Sequence, residues 1–392
     1  MRSVTTPARR RRRIGFLVLL SVIALLVAGG SGGAWYYSAE LLQPERAQAV
    51  EYPEKVISIR REGAETTVVL TESARTAKAG TWGLDWDSGS ARVGDVLRRG
   101  DGRVERRLLA GAPPEGASVR MSAEVWNGDP RSAHGLEFSD VSVRTELGDA
   151  AAWFVPAAPD VAASRADAKD APWVITVHGR GVTRRESLRV LPVLHRLGLP
   201  VLAISYRNDV GAPSSPDGLF HLGDTEWRDV EAAARYARDH GARRVVLYGW
   251  SMGGAIVGQF LARSELASMV SRVVLDAPVV SWKKTLEAQS ANRGVPSAFT
   301  PLAELVSGWR ADLDFDRFEL AAHPPAAKPP TLLMHGSADH TVPVAASRDL
   351  AAAAPGLGWP LEYVEFPDAE HVAEWNADPD RYERVVSAFL RG

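Results

Sequence analysis

The apolar residues of this 392-residue chain change their period along its length. From about Leu136 onward, short unbroken apolar runs alternate with longer stretches of helical spacing. The runs Trp173–Val177, Val201–Ser205, Arg244–Tyr248, Arg272–Asp276, Thr331–Met334 and Glu362–Phe366 predict strands buried on both faces. That is the mark of a mostly parallel sheet with helices on either side. The spacers Leu188–Leu197, Thr225–His240, Gly253–Ala262, Val344–Ala354 and Pro379–Leu390 predict those helices. In the second of them Val230, Ala233, Ala234, Tyr236 and Ala237 recur at helical spacing. Ahead of the parallel run, Val141–Thr145 and Ala151–Val155 alternate as an antiparallel pair, and Pro156 to Asp170 predicts an Ala- and Asp-rich surface loop. One spacer, between Asp276 and Thr331, is about fifty residues long, far more than an ordinary connection. Its helical patterns Thr285–Gln289 and Leu302–Trp309, with Trp282, Phe299, Trp309 and Phe315, predict a small helical cap at about 281–328. It would lie over the C-terminal edge of the sheet, within a large unit spanning 136–392.

Between 55 and 135 the pattern is short and strand-like. Val56–Arg60, Thr66–Leu70, Thr81–Asp85, Val104–Leu109 and Ser118–Val125 are the candidate strands. Asp87-Ser88-Gly89, Arg99-Gly100-Asp101-Gly102 and Asn127-Gly128-Asp129-Pro130 supply turns between them. A small β-rich module is expected, with no convergent nucleophile, base and acid of its own. It serves either for packing and docking or for binding a substrate or partner. Residues 39–54 read as a polar linker.

The N-terminus has a different pattern again. Arg9 to Arg13 form an unbroken basic run, and Ile14 to Ser38 carry no charge. The expectation is a transmembrane signal anchor at 14–38, long enough to span a bilayer, which needs about 20 residues. Residues 1–13 would then be cytoplasmic, Trp35, Tyr36 and Tyr37 would sit in an aromatic belt, and the rest of the chain would lie outside the cell membrane. Two other readings stand beside it. One is a cleaved signal peptide using the small residues Gly32 and Ala34, which would give a secreted protein; the other is a buried core helix.

Composition adds two exclusions. With 46 Lys and Arg against 48 Asp and Glu, the net charge of −2 argues against a nucleic-acid partner. The chain has no cysteine, so disulfides, thiol nucleophiles and thiolate metal sites are excluded.

The candidate chemistry lies at the ends of the parallel strands. Gly249-Trp250-Ser251-Met252-Gly253 follows the run Val245–Tyr248 and precedes an apolar helix. Strand, sharp turn, serine, helix is the context of a nucleophile elbow. Gly249, Gly253 and Gly254 leave room where strand and helix crowd together. Serine alone is a weak nucleophile and needs a base, and the base needs a carboxylate to fix its tautomer. His371, in Asp368-Ala369-Glu370-His371, and Asp339, between His335-Gly336 and Val342-Pro343, both follow buried strands and complete the order serine, acid, histidine. Asp276 is the rival acid. His335 and His340 flank Asp339, but no second cluster of ligands accompanies them, and neither a metal nor a cofactor is expected. His178-Gly179-Arg180-Gly181 follows another strand. The backbone N–H of Arg180 with that of Met252 would form an oxyanion hole.

These motifs resemble those of the α/β-hydrolases, and most closely the bacterial serine hydrolases related to prolyl-oligopeptidase-like and serine aminopeptidase-like enzymes. The resemblance covers about Val141 to Leu390 and extends to Tyr206-Arg207-Asn208. It implies an α/β-hydrolase fold with Ser251 as nucleophile, His371 as base and Asp339 as acid. Many substrates share this fold. The expected function is a membrane-tethered, extracytoplasmic serine hydrolase. It would cleave a small-molecule or lipid-like ester or thioester through an acyl-enzyme, with activity rising through about pH 6–7 as the imidazole loses its proton. A serine peptidase or aminopeptidase on the same triad is the alternative, and a non-catalytic scaffold on a hydrolase fold is the alternative of another class.

Overall fold

The computed structural model describes residues 32–44, 50–159 and 171–392. The N-terminal strands are β1 (Glu54–Glu62), β2 (Glu65–Thr71), β3 (Trp82–Trp86), β4 (Gly89–Gly100), β5 (Arg103–Ala110) and β6 (Ser118–Ser122). They close a barrel in the order β1-β2-β5-β4-β3-β6. Alternate residues point inward, so Val56, Val68, Leu70, Leu84, Val93 and Val119 fill it. Strand β4 is absent from the hydrophobic pattern because its pairing with β5 shifts register between Arg92 and Val93, Val93 and Val96, and Val96 and Arg98. Each bulge breaks the alternation that would reveal it. Arg106 is fully buried in this unit. Its guanidinium donates to the carbonyls of Gly94, Thr76, Lys78 and Gly80, and burial lowers its pKa to about 10.

The second unit is an eight-stranded sheet. Its strands are β7 (Ser139–Thr145), β8 (Gly148–Val155), β9 (Trp173–Val177), β10 (Val201–Ile204), β11 (Val245–Trp250), β12 (Val270–Asp276), β13 (Thr331–Gly336) and β14 (Leu361–Phe366). Their order is β14-β13-β12-β11-β9-β10-β8-β7. Strands β9 to β14 run parallel, while β8 pairs antiparallel with β10 and with β7. Helices 227–239, 252–263 and 344–353 cover one face through Val230, Ala233, Ile256, Phe260 and Leu350. Helices 191–196 and 379–391 cover the other through Leu191, Leu194, Tyr382 and Val386. Burial on both faces is what an unbroken apolar strand requires. Most of the loop expected over Pro156–Asp170 lies outside the described residues.

The N-terminal expectation is corrected. Among the described residues no helix is long and apolar enough to cross a membrane. The basic run Arg9–Arg13 and the expected span up to residue 31 lie outside the described residues. The remainder of the span belongs to a helix at 32–42 that is seated on the catalytic unit. Ala34, Ser38 and Leu42 are buried, and Phe220 N–H donates to the Leu42 carbonyl at 2.7 Å. Arg310 stacks on Trp35 at 4.3 Å and donates to Ser38 Oγ, and Arg293 pairs with Glu40 at 2.7 Å. Where the sequence suggested a bilayer interface, Trp35 meets Arg310, Tyr37 meets Arg293 and lines a pocket, and Tyr36 is exposed with its edge contact on Tyr37. The single-pass topology, the membrane as a partner and the extracytoplasmic placement built on that span are not supported.

Candidate active site

Ser251 stands between β11 and the helix Met252–Arg263 with φ 50° and ψ −119°. A non-glycine residue adopts positive φ only where its surroundings hold it there. Here the Ser251 N–H donates to the Asp276 carbonyl, and the Ser251 carbonyl accepts from Gly254 and Val279. The flanking glycines are sterically required. A Cβ on Gly253 would lie 2.1 Å from the Val177 carbonyl oxygen, and one on Gly249 would lie 2.8 Å from that of Gly253.

Ser251, His371 and Asp339 come together in series. His371 Nε2 lies 2.9 Å from Ser251 Oγ, and its Nδ1 lies 2.7 Å from Asp339 Oδ2. His371 comes from the loop after β14, and Asp339 from the loop after β13. The other carboxylate oxygen, Oδ1, accepts from the N–H groups of Thr341 and Val342. Oδ2 also meets His335 Nε2 at 3.1 Å. Burial by itself would raise the Asp339 pKa, but the hydrogen bonds from His335 and His371 hold the carboxylate well below its ordinary range. His335 Nε2 faces two acceptors, Asp339 Oδ2 and the Val342 carbonyl, so it carries the proton and its Nδ1 accepts from Ser347 Oγ.

The loop His178–Gly181 approaches from β9. A Cβ on Gly179 would sit 3.1 Å from Ser251 Cβ, so the loop passes closely over Ser251. Tyr206 and two side chains that sequence reasoning did not single out, Glu186 and Asp209, fix this loop. Gly179 N–H donates to Glu186 at 2.8 Å, and Tyr206 OH donates to the Gly179 carbonyl at 2.9 Å. His178 stacks on Tyr206, with Nε2 2.7 Å from Asp209 and Nδ1 2.8 Å from the Gly179 carbonyl. Burial lowers the His178 pKa, but Asp209 outweighs it and the net direction is up. Asp209 directly follows Tyr206-Arg207-Asn208, so it lay one residue beyond the signal that the sequence offered.

Asp276, the rival acid, is not a hydrogen-bond partner of His371, whose ring nitrogens meet Asp339 and Ser251. Asp276 Oδ2 accepts from Tyr382 OH at 2.6 Å, and Tyr382 OH also meets Tyr248 OH. Beside it, Glu374 is fully buried; burial first, and the charge of Asp276 second, push its pKa well up.

A cavity of about 550 Å³ opens from Ser251 and His371. Helix 32–42 supplies Tyr37, Glu40 and Leu41, and the segment after β12 supplies Trp282, Leu286, Val295, Phe299 and Ala303. The expected aromatic cap is only partly realised. Trp282 is buried with its indole N–H on the Leu222 carbonyl, and Phe315 lies in the core, but Trp309 is 76% exposed.

A nucleophile elbow on a mostly parallel sheet, with a histidine and a buried carboxylate in line behind it, defines a serine hydrolase on an α/β-hydrolase fold. Residues 192–391 match the model of the prolyl oligopeptidase family, and the chain belongs to that family. Residues 55–122 match a domain of unknown function, DUF8805. The chain is 26% identical over 262 residues to the uncharacterized protein YfhR of Escherichia coli K12, across 67% of this chain and 80% of that protein. Among solved structures, the Pyrococcus furiosus esterase Pf2001 aligns at TM-score 0.51 and 21% identity, over 68% of this chain and 96% of its own. A Mycobacterium tuberculosis puromycin-hydrolyzing peptidase aligns at TM-score 0.53 and 19% identity, over 85% of this chain and 46% of its own. At these identities the structural likenesses show the fold. The membrane tether that formed part of the expected ester or thioester hydrolase is corrected, while serine-hydrolase activity stands with the family. The family match favours the peptidase alternative.

Proposed function

We propose that this chain is a serine peptidase that cleaves acyl-amide bonds through an acyl-enzyme on Ser251. The series Asp339–His371–Ser251 is the observation that carries the reading. His371 Nε2 takes the Ser251 proton as Oγ attacks the carbonyl carbon. The N–H groups of Met252 and Arg180 receive the oxyanion. His371 then returns the proton to the leaving amine nitrogen as the C–N bond breaks. A water activated by His371 releases the acid and restores the serine.

The pocket narrows the acyl group. Glu40 is the carboxylate among its described lining residues, and Arg293 engages it. No open carboxylate there receives a free ammonium, and the other walls are largely apolar. The favoured substrate is an apolar aminoacyl group whose amine is blocked. Apolar N-acetyl-aminoacyl anilides should be cleaved with a higher kcat/KM than the same anilides with free amines. A preference of tenfold or more for the free amine would overturn the substrate assignment. Fluorophosphonate labelling should disappear in Ser251→Ala; folded wild-type protein that takes no label would favour the scaffold reading.

A further inference from the structure

The barrel touches the catalytic unit at the loop that carries His371. Thr81 N–H donates to the Asn376 carbonyl at 2.8 Å, and Asn376 Nδ2 donates to the carbonyls of Thr81 and Ala123. Lys78 pairs with Glu370, the neighbour of the histidine, at 2.5 Å. Ala373, two residues past His371, belongs to the apolar core of the barrel. Asn376 is fully buried at this seam, and Gly80 there has φ +87°; a Cβ on it would lie 2.0 Å from the Asn376 carbonyl oxygen.

The loop needs such support. Asp368 and Val372 both sit at positive φ, 58° and 52°. A β-branched residue in the left-handed region is held there only when its surroundings over-determine it. From the catalytic side, Arg189 reaches the Val372 carbonyl and Ser337 Oγ accepts from Asp368 N–H. From the barrel side come Lys78, Gly80 and Thr81. The buried Arg106 fixes that segment by donating to the carbonyls of Thr76, Lys78 and Gly80.

We propose that the barrel is a positioning device for the catalytic base, with Lys78 and Asn376 as its positioning residues. The proposal rests on the reading of His371 as that base. No barrel residue is among the described residues that line the cavity, whose walls include helix 32–42 and the segment after β12. Loosening the seam therefore lowers kcat and leaves KM nearly alone. A misplacement of about 1 Å can cost about 10²-fold in rate.

The test uses the full chain and the variants Lys78→Met, Lys78→Arg, Gly80→Val and Asn376→Ala. Each is checked for folding by its melting curve and assayed for kcat and KM on an aryl ester or anilide. Hydrogen exchange of the amides at 367–376 is measured alongside. For Lys78→Met we expect kcat to fall about tenfold with KM within about threefold. Lys78→Arg should recover most of that loss, and exchange should quicken in the loop for Lys78→Met and Gly80→Val. Folded variants with unchanged kcat and unchanged loop exchange would overturn the proposal. So would losses that fall on KM. The exchange measurement needs no turnover, so it judges the seam even if the wild-type chain cleaves no anilide, a result that would count against the peptidase reading alone.

Discussion

Replacing Asp339 with asparagine tests the electrostatic design of the site most sharply. The two carboxylate oxygens of Asp339 are not equivalent. Oδ1 accepts two backbone N–H groups, from Thr341 and Val342, so the amide oxygen of an asparagine must occupy that place. Its NH₂ is then forced into the position of Oδ2, against His371 Nδ1 at 2.7 Å and His335 Nε2 at 3.1 Å. An NH₂ there can only donate. The His371 proton must move from Nδ1 to Nε2, where it faces Ser251 and can no longer be the empty site that receives the serine proton. His335 Nε2, which must keep its proton for the Val342 carbonyl, meets a second donor. A wrong-tautomer triad of this kind loses about 10⁴ in kcat. That corresponds to about 5.5 kcal/mol in the barrier. Steady-state assay of Asp339→Asn should show this loss with KM within about threefold, because no pocket contact changes. Fluorophosphonate labelling should slow in parallel. A folded variant within tenfold of the wild-type kcat would refute the assignment of Asp339 as the residue that fixes the His371 tautomer.

Three further outcomes follow from the structure. Leu41→Trp, which thickens the pocket wall from helix 32–42, should cut kcat/KM for bulky acyl groups by about tenfold or more while sparing acetyl; equal loss for both sizes would place Leu41 outside the acyl subsite. Gly253→Ala pushes a methyl against the Val177 carbonyl, and chemical denaturation should register a loss of about 1–3 kcal/mol. Glu374 has a raised pKa, so the folded chain keeps a proton that the unfolded chain releases above about pH 4.5, and stability falls as pH rises through that window. Glu374→Gln should flatten the decline between about pH 5 and 7, where one such group contributes up to about 1.4 kcal/mol per pH unit; an unchanged slope would mean that Glu374 is ionised in the folded protein.

The sequence was most legible where one residue serves one local demand. Doubly buried strands such as Val245–Trp250 need apolar side chains throughout, and the elbow needs Gly249 and Gly253 beside Ser251. Both leave contiguous marks. Glu186 and Asp209 left none, because their partners at the His178 loop are brought to them by the fold. Strand β4 was hidden by its own bulges. The apolar stretch ending in Trp35-Tyr36-Tyr37 misled for another reason. An aromatic that packs on Arg310 or lines the cavity beside Ser251 has the composition of one placed at a bilayer interface, and hydropathy does not tell the two apart.

The helix at 32–42 gives substrate a hold on the fold as well as on the serine. Tyr37 and Leu41 face the same cavity as His371, so any molecule that fills the cavity bridges two distant stretches of the chain. A ligand that binds only when the helix is docked favours docking by an amount that grows with the logarithm of its concentration over its Kd. A ligand at a hundred times its Kd stabilises the docked form by about 2.7 kcal/mol. A slowly turning-over acyl-enzyme would therefore shield the amides and peptide bonds of 32–42 from exchange and from proteases. The protection would last only as long as the acyl group stays, making the N-terminal helix a reporter of catalytic state.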